Sequence, residues 1–403
     1  MTSPPSLRCQ VLVVGAGPAG GELARRLARS RVDVLLVDRL PQLDRGAFSS
    51  AALPWAAVEN LGLPAHVVAS RWSRWQLLGP GEQRRHWTAP SPLGVVLEFG
   101  ALRQWLAAEC RLWGGDVVLG ATALTSQERK GAMVTQLRLG SGADTEVISD
   151  WVVDATGERR QLIGEPGPGE ETLTEGLGVE WLLQVPPDVW QAWSDQLSFA
   201  LGSDWVPQGY GWIFPMQPGR LKVGVCRLLD SSRPQPPLGG VLERMMRRAD
   251  LLGHRVLDRH GGRIRSTIRR RDSHRRGRLI GLGDAVSTAN LLGGEGIRHA
   301  MASSGVLSEL LIAAVAAPSE ADRLLGSYPV QLRKALGWRW SLSGRLARRT
   351  WLGLTGAGAD RRLDRLLAGL ADKKRAEDLS ALLFDYRFER YGLRALPDLI
   401  GWR

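Results

Sequence analysis

The chain has 403 residues, 44% of them hydrophobic and 23% charged, which is the composition of a globular protein with two or three domains and excludes a disordered chain or a fibrous repeat. The net charge is +12, from 53 lysines and arginines against 41 acidic residues. A nucleic acid, an anionic membrane, an acidic partner protein or arginine-biased codon usage each explains such an excess.

Three cysteines, Cys9, Cys110 and Cys226, lie far apart and form no CxxC pair. They disfavour a disulfide framework and a zinc site, and they favour a reducing compartment. No apolar run reaches the ~20 residues that span a bilayer, and the first ten residues lack the pattern of a signal peptide. We therefore expect a cytoplasmic protein that is either soluble or bound to a membrane surface.

Residues 10–38 predict a β-α-β unit with a nucleotide-binding turn. An apolar run ends at Gly15, a helix with apolar residues at helical spacing follows, and a second apolar run ends at Asp38. Gly15 allows a tight turn, Gly17 lets a pyrophosphate approach the backbone, and Gly20 allows close packing of helix on strand. The helix N-terminus then offers N–H groups to phosphates, and Asp38 accepts from ribose hydroxyls. The alternative is a glycine-rich turn that binds nothing.

The following segments predict a mixed α/β chain. Periodicity predicts a helix over 100–113, strands over 116–121, 132–139 and 145–153, a β-rich layer over 165–240, a helix over 241–257, a strand over 279–282, a long helix from about Gly294, and a mostly helical remainder from Ala321.

Three separated segments resemble one flavoprotein family. They are GAGPAG with Asp38, DATG at 154–157, and GLGDA at 281–285 followed by GGEGI at 293–297. Together they resemble proteins built like p-hydroxybenzoate hydroxylase and geranylgeranyl reductase, which implies an FAD site. The resemblance places the following residues at the cofactor: Gly15, Gly17, Pro18, Ala19, Gly20, Asp38, Arg39, Arg45, Asp154, Gly157, Gly283, Asp284, Gly293, Gly294, Gly296 and Ile297.

The last of these segments is expected to hold the flavin ring. Asp284 would accept from ribityl or ribose hydroxyls, the glycines at 293–296 would let the backbone approach the ring, and the helix beginning there would favour negative charge on reduced flavin. Glu295 opposes that effect, so we expect its side chain to turn away and cap its own helix.

A hairpin narrows the resemblance. The run from Gln208 to Met216, followed by the Val-Gly strand at 221–225, resembles a hairpin of geranylgeranyl reductases that walls their prenyl pocket. Tyr210, Trp212, Phe214 and Pro215 are therefore expected to line a substrate pocket, with aromatic faces suited to an isoprenoid chain. The alternative is that these aromatic residues are sheet core.

Two departures from the reductase pattern keep other functions open. Many geranylgeranyl reductases carry Cys-Gly-Gly where this chain has Arg45-Gly46-Ala47, and Phe99 stands where the family often has a cofactor-contacting arginine. The run from Arg45 to Leu53 looks more like the hydroxylases. The leading hypothesis is an FAD-dependent reductase of an isoprenoid chain; the alternatives are an FAD-dependent monooxygenase or epoxidase, and a non-catalytic flavin- or pigment-binding protein.

No protein residue stands out as a catalytic acid or base, and no metal-binding spacing occurs. His299 follows GGEGI, where a packing role is expected. No dedicated NAD(P)H domain is visible, so we expect either NADPH that docks transiently or a small acidic protein such as reduced ferredoxin as the electron donor.

These elements predict an α/β fold in which a Rossmann-like FAD-binding domain carries an inserted antiparallel β-sheet substrate domain and a helical C-terminal region. The first comprises 1–60, 97–160 and 277–325, the second 61–96 and 161–276, and the third 326–403.

The positive charge is concentrated in two stretches. Residues 255–278 contain ten arginines and two acidic residues, and residues 333–349 contain six basic residues and no acidic one. The segment Gly337 to Leu354 mixes Trp338, Trp340, Leu346, Trp351 and Leu352 with arginines, which is typical of a helix on an anionic membrane surface; the alternative is a solvated helix face packed on the FAD domain. No nucleic-acid recognition fold accompanies the basic residues, so no nucleic-acid partner is expected.

Overall fold

The computed structural model describes residues 6–46 and 49–388, and its elements are numbered in chain order. Residues 1–5 and 47–48 of the predicted FAD-binding domain and residues 389–403 of the predicted C-terminal region lie outside these ranges. The fold is built on one mostly parallel sheet, one large second sheet and a helical end. This confirms the predicted α/β class with an inserted β domain and a helical C-terminal region.

The first sheet runs in the order β17-β18-β11-β1-β2-β8, and β9 and β10 extend it antiparallel from β11. Its strands are β1 (Ser6–Val14), β2 (Val34–Asp38), β8 (Asp116–Leu119), β9 (Ala121–Arg129), β10 (Ala132–Leu139), β11 (Asp144–Asp154), β17 (Arg275–Arg276) and β18 (Leu279–Gly281). The central strands are apolar on both faces, as parallel strands covered on both sides must be. The carboxyl ends of β1, β2 and β11 therefore meet at one edge.

Helices cover one face of this sheet. They are α1 (Pro18–Arg29), α3 (Phe99–Leu112) and α6 (Ile297–Ala316). Leu23 and Leu27 of α1 pack with Leu307 and Leu311 of α6 in one core cluster. Helix α6 is long and apolar enough to cross a membrane by length and composition alone, but a core helix passes the same test, and much of α6 is buried.

The second sheet has seven strands in the order β16-β12-β15-β14-β13-β5-β6. They are β5 (Arg74–Leu78), β6 (Arg84–Thr88), β12 (Thr174–Gln184), β13 (Gln196–Leu201), β14 (Gly209–Pro215), β15 (Arg220–Leu228) and β16 (Arg255–Ser266). Every pair is antiparallel except β13 with β5. Helices α4 (Pro187–Trp193) and α5 (Leu238–Arg248) pack on the outer face, which leaves the inner face for a cavity.

The predicted helix over 241–257 is too long. Helix α5 ends at Arg248, and the chain has left-handed φ angles of 54° at Asp250 and 97° at Gly253. Residues 255–257 instead begin strand β16. The apolar spacing crosses the break because Leu251 belongs to the same core cluster as the helix.

A small third sheet and the C-terminal helices complete the structure. Strands β3 (Ala52–Pro54), β4 (Val68–Trp72) and β7 (Gly94–Leu97) form the small sheet. Helix α2 (Trp55–Leu61) follows β3 directly in the sequence. The C-terminal helices are α7 (Ala321–Gly326), α8 (Tyr328–Gly353), α9 (Ala357–Lys373) and α10 (Ala376–Leu383). Helix α8 is kinked at Gly337, where φ is 78°. Residues of α9 and α10 pack against the inner face of the second sheet.

Candidate functional site

The turn between β1 and α1 forms one wall of a cleft of about 290 Å³. A Cβ atom on Gly15 would lie 2.4 Å from the Ala155 carbonyl oxygen, and one on Gly20 would lie 1.9 Å from the Gly15 oxygen. Only glycine fits at either place. Gly17, by contrast, has no atom within 4 Å of its Cβ position and faces the open cleft with Pro18 and Ala19.

Asp38 closes this end of the cleft. Its carboxylate accepts the N–H of Ala16 at 2.7 Å and that of Leu40 at 2.8 Å, which ties β2 to the glycine turn. Arg103 donates from Nε to the Ala16 carbonyl at 3.1 Å, and its Nη2 lies 3.5 Å from Asp38. Arg103, which lies one helical turn after Phe99 in α3, is therefore the arginine that contacts the glycine-rich loop and Asp38. Its role escaped prediction because the family pattern places its arginine at the helix start.

The opposite wall comes from the ends of β11 and β18. Ala155, Thr156 and Gly157 line the cleft. Asp154 does not line it: its buried carboxylate accepts the N–H groups of Thr156, Leu162 and Ile163 and so shapes the turn from beneath.

Asp284 lines the cleft beyond β18. It accepts the Thr288 hydroxyl at 3.0 Å, and burial raises the pKa of its carboxyl group. Gly283 has φ of 63° and a Cβ position 2.7 Å from the Ala19 Cβ, so close packing of this turn against α1 requires glycine there. Arg39 lines the cleft, whereas Arg45 is exposed and lines neither this cleft nor the cavity described next.

A second, strongly apolar cavity of about 200 Å³ lies under the inner face of the second sheet. Tyr210, Trp212 and Phe214 of β14 face it, together with Phe199 and Trp75 from the neighbouring strands. Loop residues 292–296, Ile297 at the start of α6, residues 49–53, and helices α8, α9 and α10 supply the other walls. Pro215 does not line the cavity; its carbonyl accepts the Ser70 hydroxyl at 2.6 Å.

A row of side chains across three strands fixes the aromatic wall. Trp212 pairs with Gly224 on β15, and Gly224 pairs with Glu180 on β12. Because Gly224 has no side chain, the indole lies across it and donates from Nε1 to Glu180 at 2.8 Å. Burial raises the pKa of Glu180, and the neighbouring Lys222 opposes that effect. The glycine of the Val-Gly strand is therefore required by the orientation of Trp212.

Lys222 connects this sheet to the loop after β2. Its ammonium group donates to the Ser49 carbonyl at 2.6 Å, and the side chain is almost fully buried. Ser49 and Ser50 line the cavity, in the loop where many geranylgeranyl reductases carry a cysteine. Lys222 thus holds the loop against the cavity.

The loop at 293–297 joins the two spaces. Gly293, Gly294, Gly296 and Ile297 line the cavity, and a Cβ atom on Gly296 would lie 3.5 Å from the Asp284 carboxylate, which lines the cleft. The Tyr210 hydroxyl lies 2.9 Å from the Cβ position of Gly294, so the loop passes close to the aromatic wall. Tyr210 also hydrogen-bonds Cys226, and burial raises the pKa of that thiol to about 12.

Glu295 does not cap its own helix, contrary to expectation. Its carboxylate accepts from Arg298 at 2.6 Å and from the Tyr386 hydroxyl at 2.9 Å, and His299 lies 3.3 Å away. Burial opposes ionisation, but His299 and Arg298 outweigh it and lower the pKa of Glu295 to about 2. His299 also hydrogen-bonds Tyr386 at 2.8 Å, so it does more than pack. These charged and polar contacts connect the loop at 293–296 to the residues after α10, at Tyr386.

The chain is similar in sequence and in fold to known proteins. The chain is 28% identical over 313 residues to a digeranylgeranylglycerophospholipid reductase of Haloferax volcanii, covering 73% of this chain and 74% of that protein. It is 29% identical over 360 residues to a menaquinone reductase of Mycobacterium tuberculosis, covering 84% and 83%. A crystal structure of a geranylgeranyl bacteriochlorophyll reductase-like protein from Thermoplasma acidophilum superposes with a TM-score of 0.81 at 21% identity, covering 98% of this chain and 100% of that one, and so shares its fold.

These similarities confirm the resemblance to geranylgeranyl reductases that the motifs predict. A sequence profile described as "Lycopene cyclase protein" matches residues 10–258. Because that match spans more than half of the chain, the protein belongs to the family that this profile describes, the lycopene cyclase protein family.

Proposed function

We propose that this protein is an FAD-dependent reductase that saturates carbon–carbon double bonds in a prenyl chain. The observation that carries the proposal is the junction of a glycine-lined cleft with an aromatic, apolar cavity at Asp284 and Gly296. A long dinucleotide matches the cleft, and an isoprenoid chain matches the cavity.

The residues present fit FAD. The glycine turn with open space at Gly17 would receive the diphosphate, Asp38 and Arg39 would face the adenosine end, and Asp284 would accept from hydroxyls. Bound FAD, once reduced by the electron donor, would supply a hydride to one alkene carbon, and a proton would complete the reduction at the other. The protein's own residues would bind and orient the substrate and exclude water. Trp212 and Phe214 would contact the prenyl chain, and Lys222 holds the loop at Ser49 against the cavity.

The experiment that tests the proposal is analysis of the purified protein by mass spectrometry, followed by incubation with geranylgeranyl lipids and a chemical reductant. We expect released FAD and products heavier by two hydrogen atoms for each double bond reduced. FAD-loaded protein that leaves every prenyl lipid, alcohol and quinone unchanged would refute the reductase proposal. We propose NADPH or reduced ferredoxin as the electron donor; comparing turnover with each identifies it.

A monooxygenase is the second candidate, favoured by one observation. None of the three cysteines lies between Arg45 and Leu53, where many prenyl reductases have one. Rapid mixing of reduced protein with oxygen in the presence of substrate distinguishes the two: an oxygenated product supports the monooxygenase, and a saturated product supports the reductase.

We also propose that the protein docks peripherally on an anionic membrane from the cytoplasm through the segment 337–354. Trp340 and Leu346 of this segment are core residues, Trp351 lines the cavity and Leu352 packs against a core cluster, so four of its five apolar residues are occupied within the protein. Trp338, 65% exposed, and the exposed arginines are the residues that remain for docking. Sedimentation with phosphatidylglycerol vesicles tests this; equal recovery with neutral vesicles would contradict it.

A further inference from the structure

The two basic stretches of the sequence meet in one groove. It has a volume of about 780 Å³. One wall is the second half of α8, with Arg345, Arg348 and Arg349; the other is the turn after β16, with Arg269 and Arg271. Ile268 packs with Ala347 in one core cluster and holds the walls together.

Among the described residues, the two glutamates at the groove form no ion pair with Arg269, Arg271, Arg345 or Arg348. Glu171 accepts the backbone N–H groups of Ile268 at 2.9 Å and of Arg269 at 2.8 Å. Glu170 accepts the Gly167 N–H at 2.8 Å and the Ser273 hydroxyl. Both carboxylates therefore brace the turn that carries Arg269 and Arg271, and even without Arg349 four arginines face two glutamates, which leaves a positive excess.

Other arginines of the same stretch are paired. Arg265 binds Glu165 and Glu175, Arg275 binds Asp322, and Arg278 lies 3.6 Å from Glu128. Within 6–46 and 49–388, by contrast, Arg269, Arg271, Arg345 and Arg348 form no ion pair and are exposed. Arginines without an ion pair, from both basic stretches, thus line the groove together.

Unpaired guanidinium groups that converge on one open space repel each other, and a multivalent anion relieves that repulsion. Guanidinium groups offer planar pairs of N–H donors that match the oxygens of phosphate. We propose that this groove is a binding site for a phosphoryl group, supplied either by the headgroup of an anionic lipid or by a free phosphate or diphosphate.

The site lies on the back of the cavity wall. Leu346, Thr350 and Trp351 of α8 line the apolar cavity, whereas Arg345 and Arg348 of the same helix line the groove. The groove and the cavity share no lining residue, and one helix, about 10 Å across, separates them. A bound phosphoryl group therefore restrains the helix that walls the cavity, and the site does not depend on the proposed reaction.

The test measures binding directly, on the full chain with its cofactor content matched. The probes are inorganic diphosphate, followed by calorimetry, and vesicles of phosphatidylcholine with or without phosphatidylglycerol, followed by sedimentation. The test variant is R345Q/R348Q. The control is R361Q/R362Q, which removes the same charge from exposed positions on α9, another helix that lines the cavity.

We expect the wild type and the control to bind and the test variant to bind about tenfold more weakly or worse, since each lost guanidinium removes charge-assisted hydrogen bonds. Loss with diphosphate identifies a free phosphate ligand, and loss with vesicles alone identifies a lipid headgroup; either supports the site. The proposal is overturned if neither probe binds, if the test variant binds as the wild type does, or if the control loses as much. Binding of reduced ferredoxin by these arginines, with neither phosphoryl probe bound, also overturns it.

Discussion

Gly224→Ala should displace Trp212 from the cavity wall. A Cβ atom at position 224 would lie 2.2 and 2.4 Å from two atoms of the indole ring and 2.8 Å from the Val179 carbonyl oxygen. The backbone oxygen belongs to a paired strand, so the ring must move. Moving it breaks the hydrogen bond to Glu180, which is only 1% exposed.

Two terms set the size of the effect. Overpacking a well-packed interior costs about 1–3 kcal/mol, and leaving a buried hydrogen-bonding group unsatisfied costs about 1–3 kcal/mol more. We therefore expect Gly224→Ala to lower the free energy of unfolding by about 3 kcal/mol. It should also weaken binding of a prenyl chain, because the displaced indole enters the cavity.

Urea denaturation measures the first effect, and Gly261→Ala is the matched control. Position 261 lies on β16 of the same sheet, and its Cβ would be 3.6 Å from the nearest atom, an ordinary contact. We expect the control to change the unfolding free energy by less than about 0.5 kcal/mol. The smaller ring of Trp212→Phe should make Gly224→Ala less costly in the double variant than in the wild type. Equal effects of the two alanine substitutions would refute the proposed fit of Trp212 over Gly224.

Three further predictions test other parts of the site. Gly17→Ala should unfold normally but retain less FAD on gel filtration, whereas Gly20→Ala, with its Cβ 1.9 Å from a backbone oxygen, should lower both stability and retained FAD; equal behaviour contradicts this. Glu295→Gln should make the C-terminal segment more susceptible to limited proteolysis. It should also reduce the loss of stability that the wild type shows as pH falls from the glutamate's usual 4.5 towards about 2, because the ionised carboxylate of Glu295 contributes to that stability. Burial and Arg270 hold the pKa of His274 below its usual 6.5, so the folded state binds fewer protons and unfolding free energy should fall below that pH, with a flatter profile in His274→Gln.

Much of the first domain follows from local sequence. The strand, glycine turn and helix at 11–29 are specified by period, by Gly15 and Gly20, and by the Pro18 start of the helix. Helix α5 shows the limit of this approach. Its apolar spacing continues through Leu251 into the core although the helix ends at Arg248, so periodicity alone overran the boundary.

The site is only partly visible in sequence because its contacts join distant residues. The motifs identify Asp38 and Asp284, but nothing near position 103 in the sequence says that Arg103 reaches the turn at Ala16. Glu295 and Tyr386 are 91 residues apart in the sequence, so their hydrogen bond cannot be predicted from local sequence.

The sequence shows where the basic residues are concentrated, but not which of them form ion pairs in the fold. The sequence located two basic stretches, and the structure divides them into paired arginines, such as Arg265, and groove arginines, such as Arg345. Of the apolar residues of the second stretch, Trp340 and Leu346 pack in the core, whereas Trp338 is exposed. A helical pattern does not reveal which face packs when both faces carry large side chains.

The most direct test of the central claim is anaerobic mixing of the fully reduced, FAD-loaded protein with a geranylgeranyl lipid, followed by the visible absorbance of the flavin. The account predicts that the oxidised flavin band returns with substrate and that a saturated product accumulates in proportion, while Trp212→Ala slows both. A reduced flavin that stays reduced with every prenyl lipid and quinone offered would contradict it.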